Sequence, residues 1–189
     1  MSTKVSRTEA KKAIETLLKY IGEDLKREGL VDTPERVIKS FDTFYGGYQQ
    51  DPKAPLQKTF RYYKDYNEVV LVKDIDIMSH CEHHLVPIIG KAHIAYIPHK
   101  KIVGLSKLAR VADIFSRRLQ TQESLTVSIA ETIYECLEPK GVAVYINAVH
   151  QCMTTRGIQN KHSSTTTTHF KGIFTEIQHR QEFLALLRS

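Results

Sequence analysis

Cys81-Glu82-His83-His84 sets a thiol and an imidazole three residues apart, a C-x2-H spacing from which both can reach one ion out of a tight turn. A second pair, His150 and Cys152, closes a β-branched run, and strand alternation would aim both to the same side of the chain. Together the two segments offer two Cys and three His. Thiolate plus imidazole is the natural donor set for Zn2+, although ligand type alone also admits iron or cobalt. A closed Cys2His2 site would only staple the turn to the strand, whereas an open site would use three protein ligands and keep a position for water. The surplus histidines favour the open site. With Cys81, His84 and Cys152 as ligands, His83 and His150 stay close as proton-transfer groups, and zinc would lower the pKa of a bound water towards neutrality. His80, His93, His99, His162, His169 and His179 read as solvated or satisfied side chains.

Ser106-Lys107-Leu108-Ala109-Arg110 opens a helical stripe, with Lys107 and Arg110 three apart on one face beside an N-terminus that attracts anions. Arg156 lies four residues beyond Cys152, in a loop tethered to the expected metal, so cations and metal are expected to share one pocket. The blander reading makes Lys107, Arg110, Arg117 and Arg118 the solvated face of an amphipathic helix. Gln122-Glu123 opens the next helix, where an acidic residue suits the helix dipole. Were the ligand a guanine, a carboxylate there would accept from the ring N–H and the exocyclic amine together. No glycine-rich phosphate cradle is present.

These residues need elements to hold them. Ser6-Arg7-Thr8-Glu9 has capping-box spacing, and Ala10, Ala13, Ile14, Leu17, Leu18, Ile21 and Leu25 follow at helical intervals. Thr33 as N-cap, Pro34, then Val37, Phe41, Phe44 and Tyr45 predict a second helix that ends at Gly46-Gly47. Residues 48–66 read as connecting or irregular edge structure. Strands are expected over 68–77, 91–97, 142–149 and 165–169. Two helical stripes, Leu108 to Leu119 and Leu125 to Leu137, make a pair, with Cys136 read as core, and a short helix is expected over 180–188. The class is α+β: an antiparallel sheet with paired helices (67–189) behind an N-terminal helical extension and connecting segment (1–66).

At 189 residues and 41% hydrophobic composition, the chain is long enough for one domain with a sizeable core. No apolar run reaches the roughly 20 residues that span a bilayer, and Met1 to Val5 lacks a signal-peptide pattern, so a cytoplasmic protein with no membrane partner is expected. Three cysteines make no disulfide framework. The 27 Lys plus Arg against 21 Asp plus Glu give a net charge of +6, which favours an anionic partner. A zinc-stapled nucleic-acid module would satisfy that charge, but aromatics do not interleave with the basic residues of 100–118 as a stacking platform requires. No nucleic-acid partner is expected.

In order along the chain stand Gly22-Glu23-Asp24 through Arg27-Glu28-Gly29-Leu30, Asp32-Thr33-Pro34-Glu35-Arg36-Val37, Cys81-Glu82-His83-His84, Ala95-Tyr96-Ile97-Pro98, Gly104 to Arg110, Arg118 to Glu123, and His150-Gln151-Cys152-Met153 with Arg156-Gly157. This ordered set resembles the GTP cyclohydrolase I family over nearly the whole chain. Ser124, where the family usually has Arg, and Leu25-Lys26, in place of the common proline, depart from it without touching the residues assigned below.

The resemblance implies a tunnelling-type fold that assembles into rings, usually a homodecamer, with active sites between subunits. It implies zinc-dependent hydrolysis of GTP at C8 with water, release of formate and rearrangement to 7,8-dihydroneopterin triphosphate, the entry to tetrahydrofolate and pterin biosynthesis. It places zinc on Cys81, His84 and Cys152, and proton transfers on His150 and His83. It puts Ser106 near the ribose, Gln122 and Glu123 on the guanine, and Lys107, Arg110, Arg156 and a neighbouring subunit's counterpart of Arg36 on the triphosphate. A long N-terminal extension like that of some animal members is missing, so no regulatory protein is expected. A relative of the same fold with altered chemistry is the nearest competitor, and the retention of His83 and His150 argues against it.

Overall fold

The computed structural model describes residues 5–61 and 66–189, which fall into two units, Met1–Gly46 and Gly47–Ser189. In the first, helix α1 (Arg7–Tyr20) starts at the expected capping box: the Glu9 N–H donates to Ser6 Oγ at 3.2 Å, and Glu9 Oε2 accepts the Ser6 N–H at 2.9 Å. It stops at Tyr20, short of Leu25, because Gly22 turns the chain at φ 89° and the Gly22 and Glu23 N–H groups close on the Lys19 and Leu18 carbonyls. Helix α2 (Thr33–Phe44) carries Pro34 in its first turn, but its N-cap is Asp32 rather than Thr33. The Thr33 hydroxyl instead donates back to the Gly29 carbonyl, which keeps it from capping. Arg7 joins the two helices through Glu35 at 2.9 Å and Asp42 at 3.1 Å.

Gly47, in the second unit, must be a glycine for a steric reason: a Cβ there would lie 2.1 Å from the Ile114 carbonyl oxygen. Short 3-10 turns (Gly46–Gln49 and Ala54–Leu56) lead to strand β1 (Thr59–Arg61), and Leu56 is fully buried in the main core. Of the stretch expected to be connecting or edge structure, residues 62–65 lie outside the described residues. Strands β2 (Val70–Cys81) and β3 (Pro87–Ile97) form a hairpin, and β4 (Lys101–Val103) turns back to pair with β1. Helix α3 (Leu105–Ser116), the two-residue strand β5 (Leu119–Gln120) and helix α4 (Gln122–Leu137) follow. Strand β6 (Gly141–His150) runs directly into one helical turn, α5 (Gln151–Thr154), before strand β7 (Thr165–Gly172) and helix α6 (Ile177–Arg188).

The main sheet has the order β5-β2-β3-β6-β7. Its four long strands are antiparallel, and β5 adds a short parallel edge to β2. Strand parity divides the interior in two. Ile94 and Tyr96 of β3 with Val142, Val144 and Ile146 of β6 face the expected helix pair, meeting Leu108 and Val111 of α3 and Leu125, Ile129 and Ile133 of α4. Ala95, Ile97 and Ala143 face the other way, against Phe174 and Phe183. Each of the larger apolar side chains removed from water contributes on the order of 1.5–3 kcal/mol, so the sheet and its helices form the stable frame. Cys136, read as core, is half-buried against it.

One irregularity aims the site. The β2–β3 register shifts between Val72 and Ile75, where Asp74 takes φ 58°. Before this bulge the even-numbered Val70 and Val72 pack on the main core; after it the odd-numbered Ile75, Ile77, Ser79 and Cys81 are buried. A one-residue insertion flips every later side chain to the opposite face, and it is what turns Cys81 inward. The strand expected over 68–77 is thus longer, reaching Cys81 itself.

Candidate metal centre and its surroundings

Cys81 ends β2, and Glu82 to His84 form the turn into β3. That turn is tied by the Cys81 N–H to the Val86 carbonyl and by the Leu85 N–H to the Cys81 carbonyl, both at 2.9 Å, with Leu85 in the left-handed region at φ 57°. A side chain other than glycine there costs about 1–2 kcal/mol, which the closed turn and the Glu82 N–H bond to the Gln120 carbonyl of β5 offset. The turn brings His84 Nδ1 to 3.9 Å and His83 Nδ1 to 3.7 Å from Cys81 Sγ.

The third donor arrives differently from the expectation. His150 is the last residue of β6, but Cys152 lies in α5, so a helical turn rather than strand alternation delivers it. The consequence is a cluster: Cys81, His84 and Cys152 each offer a ligand atom, and these atoms all lie within 4.8 Å of one another. Around a tetrahedral zinc with bonds of about 2.0–2.3 Å, donor atoms lie roughly 3.5–3.8 Å apart, so this spacing and the thiol–imidazole chemistry both fit such an ion. Among the described residues this is the one group of three or more His, Cys, Asp and Glu side chains with such a geometry. Burial and then the neighbouring Cys81 push the Cys152 thiol above its ordinary pKa, the penalty of placing two thiols together that a cation would relieve.

His150 turns away from the three. Its Nε2 lies 2.7 Å from Gln122 Oε1, and burial holds the imidazole below its usual pKa against the opposing charge of Glu123. Gln122, the first residue of α4, is only 1% exposed, while Glu123 beside it is exposed. Arg156 reaches back across 72 residues to donate to His84 Nε2 at 2.7 Å.

Lys107 and Arg110 lie on α3, with Ser106 exposed in its first turn. The two cations line a cleft of about 610 Å3 whose other wall is the segment Gln50, Asp51, Ala54 and Pro55. The lining of that cleft includes neither the three metal-ligand candidates nor Gln122 and Glu123. Arg118, one of the cations read as a solvated face, is instead held over the Phe115 ring at 4.9 Å and donates to the Gly47 carbonyl, which makes it a strut. Arg36 sits on α2 in the other unit, paired with Asp32 at 3.3 Å. Thr126 and Thr167, which anchor Gln122, were not singled out from the sequence; they carry no motif, and only the fold brings them together.

The GTP cyclohydrolase I family pattern matches residues 10–188. The chain belongs to the GTP cyclohydrolase I family. The GTP cyclohydrolase 1 of Maricaulis maris (strain MCS10) is 52% identical over 174 residues, covering 92% of this chain and 85% of its own. That of Brucella abortus (strain S19) is 53% identical over 187 residues, covering 98% of this chain and 88% of its own. Among solved structures, the archaeosine synthase QueF-Like in its apo form aligns with 55% of this chain and 93% of its own, at 15% identity and a TM-score of 0.44. The family expected from the ordered motifs is the one found, and with it an enzyme of the GTP cyclohydrolase I type. No helix among the described residues is long and apolar enough to cross a membrane.

Proposed function

We propose that this chain hydrolyses GTP at C8, releases formate and closes the product to 7,8-dihydroneopterin triphosphate, with Zn2+ held by Cys81, His84 and Cys152. The observation that carries the proposal is the convergence of three donors, not four, with His150 two residues from one of them and turned to Gln122 instead. A three-ligand set supports a catalytic rather than a closed structural site. Bound there, zinc supplies Lewis acidity, which brings the pKa of water down to about 7.

The chain's own residues do the rest. His150 gives a proton to N7 of the guanine as water adds at C8, and His83, exposed on the turn, moves protons near the ribose as it opens, rearranges and recloses onto the freed amine. Ser106 lies by the ribose. Gln122 and Glu123 stand at the guanine end, where the exposed Glu123 carboxylate accepts from the ring N–H and the exocyclic amine and the buried Gln122 side chain meets His150 instead. Lys107, Arg110 and Arg156 hold the triphosphate, joined by Arg36 from a neighbouring copy in a homo-oligomer, a decamer with sites between subunits. A ligating His84 gives one ring nitrogen to the metal and carries its proton on the other, so neither then accepts from Arg156. With His84 holding a metal, the Arg156 guanidinium would be available to phosphate. The cytoplasm, with folate or pterin synthesis downstream, is the proposed setting, without nucleic acid, membrane or regulatory protein.

The test is formate release from GTP by the zinc-loaded protein, with pterin absorbance followed in the same tube and ATP as control. Formate and pterin from GTP alone are expected. Cys152→Ala should lose both metal and activity, whereas His150→Ala should keep its metal and lose about 10²–10⁴-fold in rate. Loss of metal from His150→Ala would make His150 a ligand, and no formate from the metal-loaded parent protein would overturn the proposal.

A further inference from the structure

The side chain of Gln122 is almost completely buried and bonded on every side. Its Nε2 lies 3.1 Å from the Ile146 carbonyl of β6, 2.9 Å from the Thr165 carbonyl of β7 and 3.0 Å from Thr167 Oγ1. Carbonyl oxygens only accept, so the nitrogen of the amide must face the sheet, and the amide cannot be turned over without setting oxygen against oxygen. The Thr167 hydroxyl, accepting a hydrogen bond from the amide, lies 2.6 Å from Thr126 Oγ1, which in turn donates to the Gln122 backbone carbonyl at 2.7 Å. The loop begins and ends on Gln122.

That leaves Oε1, 2.7 Å from His150 Nε2. An amide oxygen only accepts, so the hydrogen in this bond belongs to the imidazole, and neutral His150 carries its proton on Nε2 with the lone pair on Nδ1. We infer that Gln122 is a positioning residue: by fixing the ring and tautomer of His150 it makes Nδ1 the nitrogen that exchanges protons with the substrate. When His150 acts as acid, the proton leaves Nδ1 for the substrate nitrogen, the electron pair of the N–H bond stays on Nδ1, and Nε2–H is retained throughout. The role assigned to Nδ1 rests on the reading of His150 as proton donor. It gives Gln122 work distinct from that of Glu123: one sets the acid, the other reads the base. A buried amide bonded to two strands suits such a role, because a residue that must hold an imidazole in one orientation is best placed where its own rotamer cannot change.

The experiment is 15N NMR of histidine-labelled, zinc-loaded protein, read beside steady-state kinetics for Gln122→Met and Gln122→Glu, with metal content checked for each. The parent protein should show His150 as the Nε2–H tautomer. Gln122→Met, which keeps the volume and removes the acceptor, should lose that preference and drop kcat for formate release about 10²-fold, with KM for GTP and metal content unchanged. Gln122→Glu still accepts from Nε2–H and, when protonated, still donates to a strand carbonyl, so it should restore the tautomer and most of kcat. Thr167→Val, which removes one anchor of the amide, should give a smaller loss of the same kind should the Met variant fail to fold. A proton on Nδ1 in the parent protein, or a Met variant with raised KM and intact kcat, would overturn the inference and return Gln122 to direct contact with guanine. A parent protein inactive on GTP would instead remove the proposed reaction, while the tautomer would still report whether Gln122 sets the ring.

Discussion

The two units of this chain stabilise themselves by different means. In Gly47–Ser189, side chains such as Leu108, Leu125, Ile129 and Val144 are fully buried, and strand parity gives the sheet a second buried cluster around Ala95, Phe174 and Phe183 on its other face. In Met1–Gly46, no residue of helix α1 is fully buried; Leu17 is 58% and Tyr20 85% exposed. Besides half-buried side chains such as Ile14 and Leu18, what stabilises α1 within its own unit is a capping box and the exposed ion pairs of Arg7, and exposed pairs contribute at most about 1 kcal/mol each. An amphipathic stripe therefore tells that a face wants cover without telling what covers it.

That contrast can be broken by substitution. Ile129→Ala should cost about 2–5 kcal/mol in urea unfolding at fixed protein concentration, because the frame around it is packed from both sides. Leu17→Ala, equally apolar on paper, should stay within about 0.5 kcal/mol. A loss of several kcal/mol at Leu17 would mean that its cover in solution comes from outside its own unit. Ser6→Ala should cost about 1 kcal/mol and show as faster hydrogen exchange in the first turn of α1, with metal content unchanged. A further small effect, and one that depends on pH, belongs to the rim of the frame. There the Lys171 ammonium first, and then His169, hold the Glu131 carboxyl below the ordinary glutamate range. A depressed carboxylate pKa stabilises above its unfolded value and ceases to do so as pH falls through the folded one. Glu131→Gln should therefore cost about 0.2–1 kcal/mol near neutrality, and the gap to the parent protein should close on acidification.

Local chemistry made much of this readable in advance. Ser6 and Glu9 interact over three residues, so that helix start is written in the chain. The cap of α2 was read one residue late because a carbonyl outside the helix competes for the Thr33 hydroxyl. Cys81 and His84, three apart in one turn, likewise needed only their spacing to be paired as candidate ligands.

By itself, then, the sequence determined the capping box of α1, the α+β class, the family and the identity of the donors that could hold a metal. All of these depend on residue type and on contacts a few positions long. The direction in which the donors point belongs to the tertiary structure. A bulge between Val72 and Ile75 exchanges inside for outside along β2 and so aims Cys81. A helical turn rather than a strand delivers Cys152, and a glutamine 28 residues away in the chain decides which way His150 faces. The reason is that side-chain direction in a sheet alternates with every residue, so one insertion reverses it, and the amide that holds His150 is itself oriented by carbonyls on β6 and β7.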